Sequence, residues 1–272
     1  MDQGIENLKG VARTLVVPLQ ARAMEARRPD AIIRDELAQQ LLDRLGFEFD
    51  DKFNRAWFMH LAISIRTRLI DDACLVFLKD HPEGLIVNLG CGLDARFSRI
   101  DNGRVRFYEI DLPEVIELRK RLFSENGRDQ MVSRSVLDFS WADDLPRPTE
   151  PALFIAEGLL YYLEEKQNRD LLDMLVNNFP GSEMIIDMFP PILIGRSAGH
   201  HPSLKAEGFH PQFKWGLKNS LELESWNPKI KFVQEWRTMD FYKKRWKWMR
   251  FFALFPALKK LMSSRIVRIK LG

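Results

Sequence analysis

The chain has 272 residues, 46% of them hydrophobic and 29% charged, enough for a full core in one large α/β domain or two small ones. Its formal net charge of +3 is too small to call for nucleic acid, so no nucleic-acid partner is expected. No apolar run approaches the roughly 20 residues that cross a bilayer, the first residues lack a signal pattern, and two cysteines, Cys74 and Cys91, make no disulfide framework; a reducing, cytoplasmic location is expected.

In chain order, the first 80 residues read as helices. One runs over 11–26 and stops before Pro29. Asp30 is placed to cap a second, through Leu42, which Gly46 ends. A third covers 54–79 and carries Ile63, Ile65, Leu69, Ile70, Cys74 and Phe77 before Pro82 and Gly84 close it. From Leu85 the pattern changes to short apolar runs at 85–89, 105–110, 131–137, 152–156, 184–188, 229–234 and 265–271, with helices near 113–124, 164–178, 216–224 and 243–262. The last helix is interrupted at Pro256. Strands alternating with helices predict a parallel doubly wound sheet, whose ligands sit beyond the carboxyl ends of the strands. Gly90, Asp111, Leu137 and Glu157 are each expected to close a strand there.

The run Leu85-Ile86-Val87-Asn88-Leu89-Gly90-Cys91-Gly92-Leu93-Asp94 carries the chemistry. A buried strand ends in two glycines one residue apart, the turn that passes under a bound nucleotide. About twenty residues on, a second strand ends in Asp111, an acid placed for ribose hydroxyls. The third glycine of a dinucleotide fingerprint is missing, so the loop suits a nucleoside without phosphates. S-adenosyl-L-methionine (SAM) is the expected cofactor. Seven strands match the common SAM-dependent methyltransferase sheet.

The stretch 190–216 holds four prolines and three histidines, His200, His201 and His210, and is too long for a plain connection. These histidines, with Tyr161, are the candidates for catalysis. They lack zinc-type spacing, and no metal is expected. Arg68 reads as a solvated helix charge, Asp71 and Asp72 as local ion-pair partners of the arginines or as caps, Cys91 as filler in the turn, and His60 and His81 as structural or exposed. The stripe Trp246, Trp248, Phe251, Phe252 and Phe255 reads as a helix packed on the sheet with its lysines in water, so membrane contact is not expected.

Five blocks resemble the leucine carboxyl methyltransferase and tetracenomycin-type O-methyltransferase family: Ala21-Arg22-Ala23-Met24-Glu25 through Asp30; Arg66-Thr67-Arg68-Leu69-Ile70-Asp71-Asp72; Asn88 through Phe97; Glu109-Ile110-Asp111-Leu112-Pro113; and Glu157-Gly158-Leu159-Leu160-Tyr161-Tyr162-Leu163. The resemblance covers roughly 15–190. It implies a seven-stranded, Rossmann-like methyltransferase sheet at 81–272, an acceptor-covering insertion at about 190–216, and extra helices at 1–80 that close over the cofactor. By position it implies that Arg66 and Arg22 clamp the methionine carboxylate. Gly90 and Gly92 pass beneath the cofactor, Asp111 takes the ribose, and Glu157 meets the amino group. The family's Asp-Leu near the adenine is replaced by Val136-Leu137, with Asp138 one residue late. Leu137 and Asp138 are the candidates there.

The expected function is SAM-dependent O-methylation of a small organic acceptor, a carboxylic acid or phenol of specialised metabolism. The alternatives are methylation of a protein C-terminal carboxylate and a catalytically silent SAM-fold binding protein.

Overall fold

The computed structural model describes residues 14–46, 56–147, 150–189 and 212–272. Seven strands, β1 (Leu85–Leu89), β2 (Arg106–Asp111), β3 (Asp129–Ser133), β4 (Leu153–Ala156), β5 (Ser182–Met188), β6 (Ile230–Arg237) and β7 (Arg265–Leu271), form one sheet in the order β3-β2-β1-β4-β5-β7-β6. The chain builds outward from β1 to β3, then returns to the other side of β1 with β4. That reversal is a topological switch point and opens a crevice at the carboxyl ends of β1 and β4. The first five strands pair in parallel, as expected. The expectation of a wholly parallel sheet fails at the far edge, where β7 runs antiparallel to both β5 and β6.

Both faces of the central strands are covered, which is why β1 and β4 are apolar almost throughout. Helix α3 (Trp57–Asp80) lies on one face, with Ile65, Ile70, Cys74 and Phe77 packed in one cluster with Ile86, Phe107, Leu153 and Ile155. On the other face, α6 (Glu165–Asn178) sets Leu171, Leu172 and Leu175 against Val87, Phe154 and Met184. A capping box between Glu164 and Gln167 starts α6. Truncating one such fully buried side chain, Ile155→Ala, should cost about 2–5 kcal/mol. Helices α1 (Val16–Ala26) and α2 (Glu36–Leu45) pack away from the sheet centre. With Leu93 and with Val115, Leu118 and Leu122 of α5 (Pro113–Leu122) they form a separate cluster beside the glycine turn.

Several boundaries differ from expectation. The cap of α2 is Asp35, directly before the helix start, which accepts a hydrogen bond from the Ala38 amide at 2.9 Å; Asp30 pairs with Arg28 instead. Gly46 does end α2, in the left-handed conformation at φ 60°. Strand β3 stops at Ser133 rather than Leu137, because its partner β2 stops at Asp111, the residue paired with Ser133. Leu137 therefore closes no strand. A short helix, α4 (Arg96–Ile100), follows the glycine turn where none was expected. The segment 216–224 contains a 3-10 turn (Ser220–Ser225) instead of an α-helix. The stretch read as one helix over 243–262 is a 3-10 segment (Lys243–Leu254) broken at Lys247 (φ 51°), then α7 (Pro256–Met262). Its aromatic stripe does not lie on the sheet as a unit. Trp246 is buried, whereas Trp248, Phe251 and Phe255 are exposed. Among the described residues no helix is long and apolar enough to cross a membrane.

Candidate functional site

The turn after β1 needs its glycines. Gly90 has φ 67° and Gly92 φ 51°, conformations that strain any residue with a Cβ. A Cβ on Gly90 would also stand 3.0 Å from Leu159 Cδ1. The Gly90 amide donates to the Ile110 carbonyl at 2.8 Å, and the Gly92 amide donates to Asp111 Oδ2 at 2.7 Å. Asp111 Oδ1 accepts from the Leu112 amide, also at 2.7 Å. The acid at the end of β2 thus holds the glycine turn at the end of β1.

Two arginines fix the carbonyls of the same loop. Arg119 of α5 donates Nη1 to the carbonyls of Gly92 (2.7 Å) and Asp94 (2.9 Å), and Nη2 to Glu109 Oε1 (2.7 Å). Burial pushes the Glu109 carboxyl up to about 8 despite Arg119. Arg22 of α1 donates Nη2 to the Leu93 carbonyl at 2.7 Å and Nε to Asp35 at 2.9 Å. Arg22 therefore ties α1 to the glycine loop. Its side chain is buried and spends two of its donor groups inside the protein.

The ends of β4 and β5 meet in a chain of buried charges. Arg66, in the middle of α3, donates Nε to Glu157 Oε1 at 2.8 Å and Nη1 to Asp187 Oδ2 at 2.7 Å. Asp187 Oδ1 accepts from the Gly158 amide at 2.7 Å. Glu157 also receives the Thr67 hydroxyl at 3.2 Å and pairs with Arg96. Arg96 continues to Asp71 and Asp94, each at 3.0 Å. Arg99 joins Asp71, Asp94 and Asp35 at 2.7–2.9 Å. Burial alone would raise Glu157, but Arg66 and Arg96 outweigh it and hold the carboxyl below its usual range. For Asp187 burial wins over Arg66, and its carboxyl is raised.

Beyond Gly158 stands a group of rings. Tyr161 stacks on Phe189 with centroids 3.9 Å apart and planes at 21°, and meets Phe213 edge-on at 5.4 Å. Tyr162 lies 4.8 Å from Tyr161. Burial, with Asp187 nearby, pushes the Tyr161 phenol well above its ordinary value, although Arg66 acts against the rise. Tyr161 is therefore a neutral hydroxyl, suited to donate a hydrogen bond and unsuited to act as a base.

Of the residues singled out in the sequence, Arg66, Gly90, Gly92, Asp111 and Glu157 come together around the crevice, with Tyr161 beside it. Arg22 reaches the loop from outside. Leu137 is half-buried against the core. Asp138 is exposed and caps the 3-10 turn Phe139–Asp144, accepting from the Ser140 amide (3.2 Å) and hydroxyl (2.6 Å). His200, His201 and His210 lie outside the described residues. Arg68 pairs with Asp72 on the surface at 2.9 Å. Asp71 is no local partner of Arg68 and instead joins the buried network. Sequence reasoning missed Arg96, Arg99, Arg119 and Asp187. The available signal was Arg96 and Arg99, three apart directly after the glycine turn and its acid, a spacing that puts both on one helix face.

The sheet order, the glycine turn and the acid at the end of β2 fit a Rossmann-like, SAM-dependent methyltransferase. The chain belongs to the leucine carboxyl methyltransferase family, whose model matches residues 16–176. It is 35% identical, over 86% of its length and 85% of the relative's, to the tetracenomycin polyketide synthesis O-methyltransferase TcmP of Streptomyces glaucescens. It is 28% identical, over 85% of its length and 84% of the relative's, to the S-adenosyl-L-methionine-dependent methyltransferase dpfgK of Gibberella zeae.

The residues present fit that cofactor. Asp111 receives two backbone amides, and no ion pair reaches it among the described residues. A carboxylate has about four acceptor positions, so two remain for a pair of hydroxyls. Burial raises the Asp111 carboxyl, and further donors would offset that rise. Gly158 (φ 76°) exposes backbone beside Arg66, whose Nη2 would lie 4.0 Å from a Cβ placed there.

Proposed function

We propose that this chain is an O-methyltransferase acting on a small, flat organic acceptor through a phenol or carboxylate oxygen. One observation carries the reading. Tyr161, whose hydroxyl would lie 3.4 Å from a Cβ on Gly158 beside Arg66, packs against the rings of Phe189 and Phe213, so an apolar cluster meets a fixed charged group there. Pockets for small organic molecules combine apolar lining with a few placed polar groups. The O-methyltransferase relative from polyketide synthesis supports the same choice of acceptor.

In this reading SAM, when bound, supplies a methyl group activated on a positively charged sulfur. Asp111 accepts from the ribose diol, and Gly90 and Gly92 allow close backbone approach. Arg66 and Glu157 position the amino-acid end, with Arg22 acting through the loop and Leu137 and Asp138 flanking the adenine side. The helices within 1–80 would cover the cofactor, and 190–216, of which 190–211 lie outside the described residues, is the candidate acceptor cover, in an enzyme expected in the cytoplasm. Holding the reacting atoms in line can supply several kcal/mol of the rate. A carboxylate acceptor is already ionised and needs no base. A phenol, with a pKa near 10, calls on His200, His201 or His210.

The test is transfer of labelled methyl from SAM to a panel of phenols, aromatic carboxylic acids and peptides ending in leucine. The reading expects label on a small aromatic acceptor. With a phenol, one of the three His→Ala variants should lose about 10²–10⁴-fold in turnover and keep SAM affinity. Label only on the peptides would favour the protein carboxyl methyltransferase. Cofactor binding without transfer to any acceptor would favour a silent binding protein.

A further inference from the structure

Between Lys243 and Met262 the chain carries seven lysines and arginines and no aspartate or glutamate. Arg245 is spent on Glu25 at 2.8 Å and Lys259 on Asp240 at 2.7 Å. Lys243, Lys244, Lys247, Arg250 and Lys260 remain, with the Lys247 ammonium 4.7 Å from the Trp57 ring centroid and the Arg250 guanidinium 5.3 Å from that of Phe251. The apolar side chains of this segment divide in two. Trp246 is buried, and Met249, Phe252 and Met262 pack partly on the cluster under α3. Trp248, Phe251, Leu254 and Phe255 point outward, 55–72% exposed, and α7 has no buried residue at all. Phe58, on the first turn of α3, is half exposed and touches the Trp57 ring that Lys247 covers, so it extends the same face. The segment thus presents large exposed apolar side chains with cations interspersed among them along the chain.

We propose that this face, built from residues 243–262 and the start of α3, docks the enzyme on an anionic lipid surface. Aromatic and leucine side chains inserted at the headgroup level, with lysine and arginine around them, are the physical requirements of peripheral binding. Each basic residue near such a surface adds a comparable increment of attraction. A second copy of the chain fits less well. A two-fold contact would set this cationic face against itself, and the centres of protein interfaces are depleted in lysine.

The experiment uses the full chain, sedimented with vesicles of phosphatidylcholine alone or mixed with phosphatidylglycerol, while sedimentation velocity reports its oligomeric state. Binding to the anionic vesicles, weakened by salt, is expected. The pair Lys243→Glu with Lys244→Glu and the pair Trp248→Ser with Phe255→Ser should each lower the partition coefficient at least about tenfold. Both pairs should keep the parent melting curve and the parent transfer rate to a water-dissolved acceptor. If one pair fails to fold, the other decides. Equal binding to neutral and anionic vesicles, or none to either, overturns the proposal. So does a dimer that Phe255→Ser dissolves while the chain ignores vesicles.

Discussion

Under the glycine turn, arginines and acids are buried against one another; along 243–262, cations and rings face outward. Both regions are rich in arginine or lysine, and they differ in where the opposite charge comes from. Arg66, Arg96 and Arg99 find theirs at the ends of β4 and β5, on α3 and in the loop after β1, so this region is complete within the chain. Paired buried charges hold the loop and the crevice edge in one geometry, and salt screens them little. The outer segment has matched only its inward side. Buried charge here preorganises a site, and exposed charge beside exposed apolar surface offers an interface.

The largest effect should follow from breaking the inner network. Arg96→Ala leaves Glu157 to Arg66 and Asp71 and Asp94 to Arg99 alone, in a buried place, and should cost about 3–5 kcal/mol of stability in urea unfolding. A loss under about 1 kcal/mol would mean that the acids find other partners and the network is dispensable.

The next effect separates support of the fold from support of the ligand. Asp111→Ala removes the acceptor for the Gly92 and Leu112 amides and for the proposed ribose contact. SAM affinity should fall about 10–100-fold, the worth of one or two hydrogen bonds to a charged group, while the chain stays folded. Unchanged affinity by calorimetry, with a normal melting curve, removes Asp111 from the site.

A pH effect of intermediate size comes from His60, buried on α3. Burial lowers its pKa from 6.5 to about 4. Between those values the unfolded chain holds a proton that the folded chain refuses. Stability from this group is therefore present above about 6.5 and lost as pH falls toward 4. The slope of Tm against pH in that window should flatten in His60→Gln. An unaltered slope would assign the acid sensitivity to other groups.

The smallest effects belong to the surface. Arg68→Ala breaks an exposed pair with Asp72, and Phe255→Ser removes a ring that is 60% exposed. Each should change stability by no more than about 0.5 kcal/mol in thermal melts. A large loss in Phe255→Ser would show that the outer segment belongs to the core, and the contrast between the two regions would collapse.

The same contrast explains what could be read from the sequence. The parallel strands were legible because strands covered on both faces are continuous apolar runs. Gly90, Gly92 and Asp111 were legible because a tight turn over a ligand admits few residue types. The end of β3 was not, since it is set by where β2 stops, a pairing that no local pattern encodes. Asp30 and Asp35 are equally good cap residues by type, and the start of α2 at Glu36, directly after Asp35, decides between them. Asp187 looked like an ordinary strand residue until α3 brought Arg66 to it from 121 positions away. The outer segment misled for a local reason. Its apolar spacing suits a helix, but the left-handed backbone at Lys247 turns its rings outward.

The most direct measurement is a crystal structure with S-adenosylhomocysteine. The account predicts the ribose hydroxyls on the Asp111 carboxylate, the backbone of Gly90 and Gly92 beneath the ligand, and its amino-acid end beside Arg66 and Glu157. A ligand bound away from the carboxyl ends of β1, β2 and β4, with Asp111 left facing water, would contradict it.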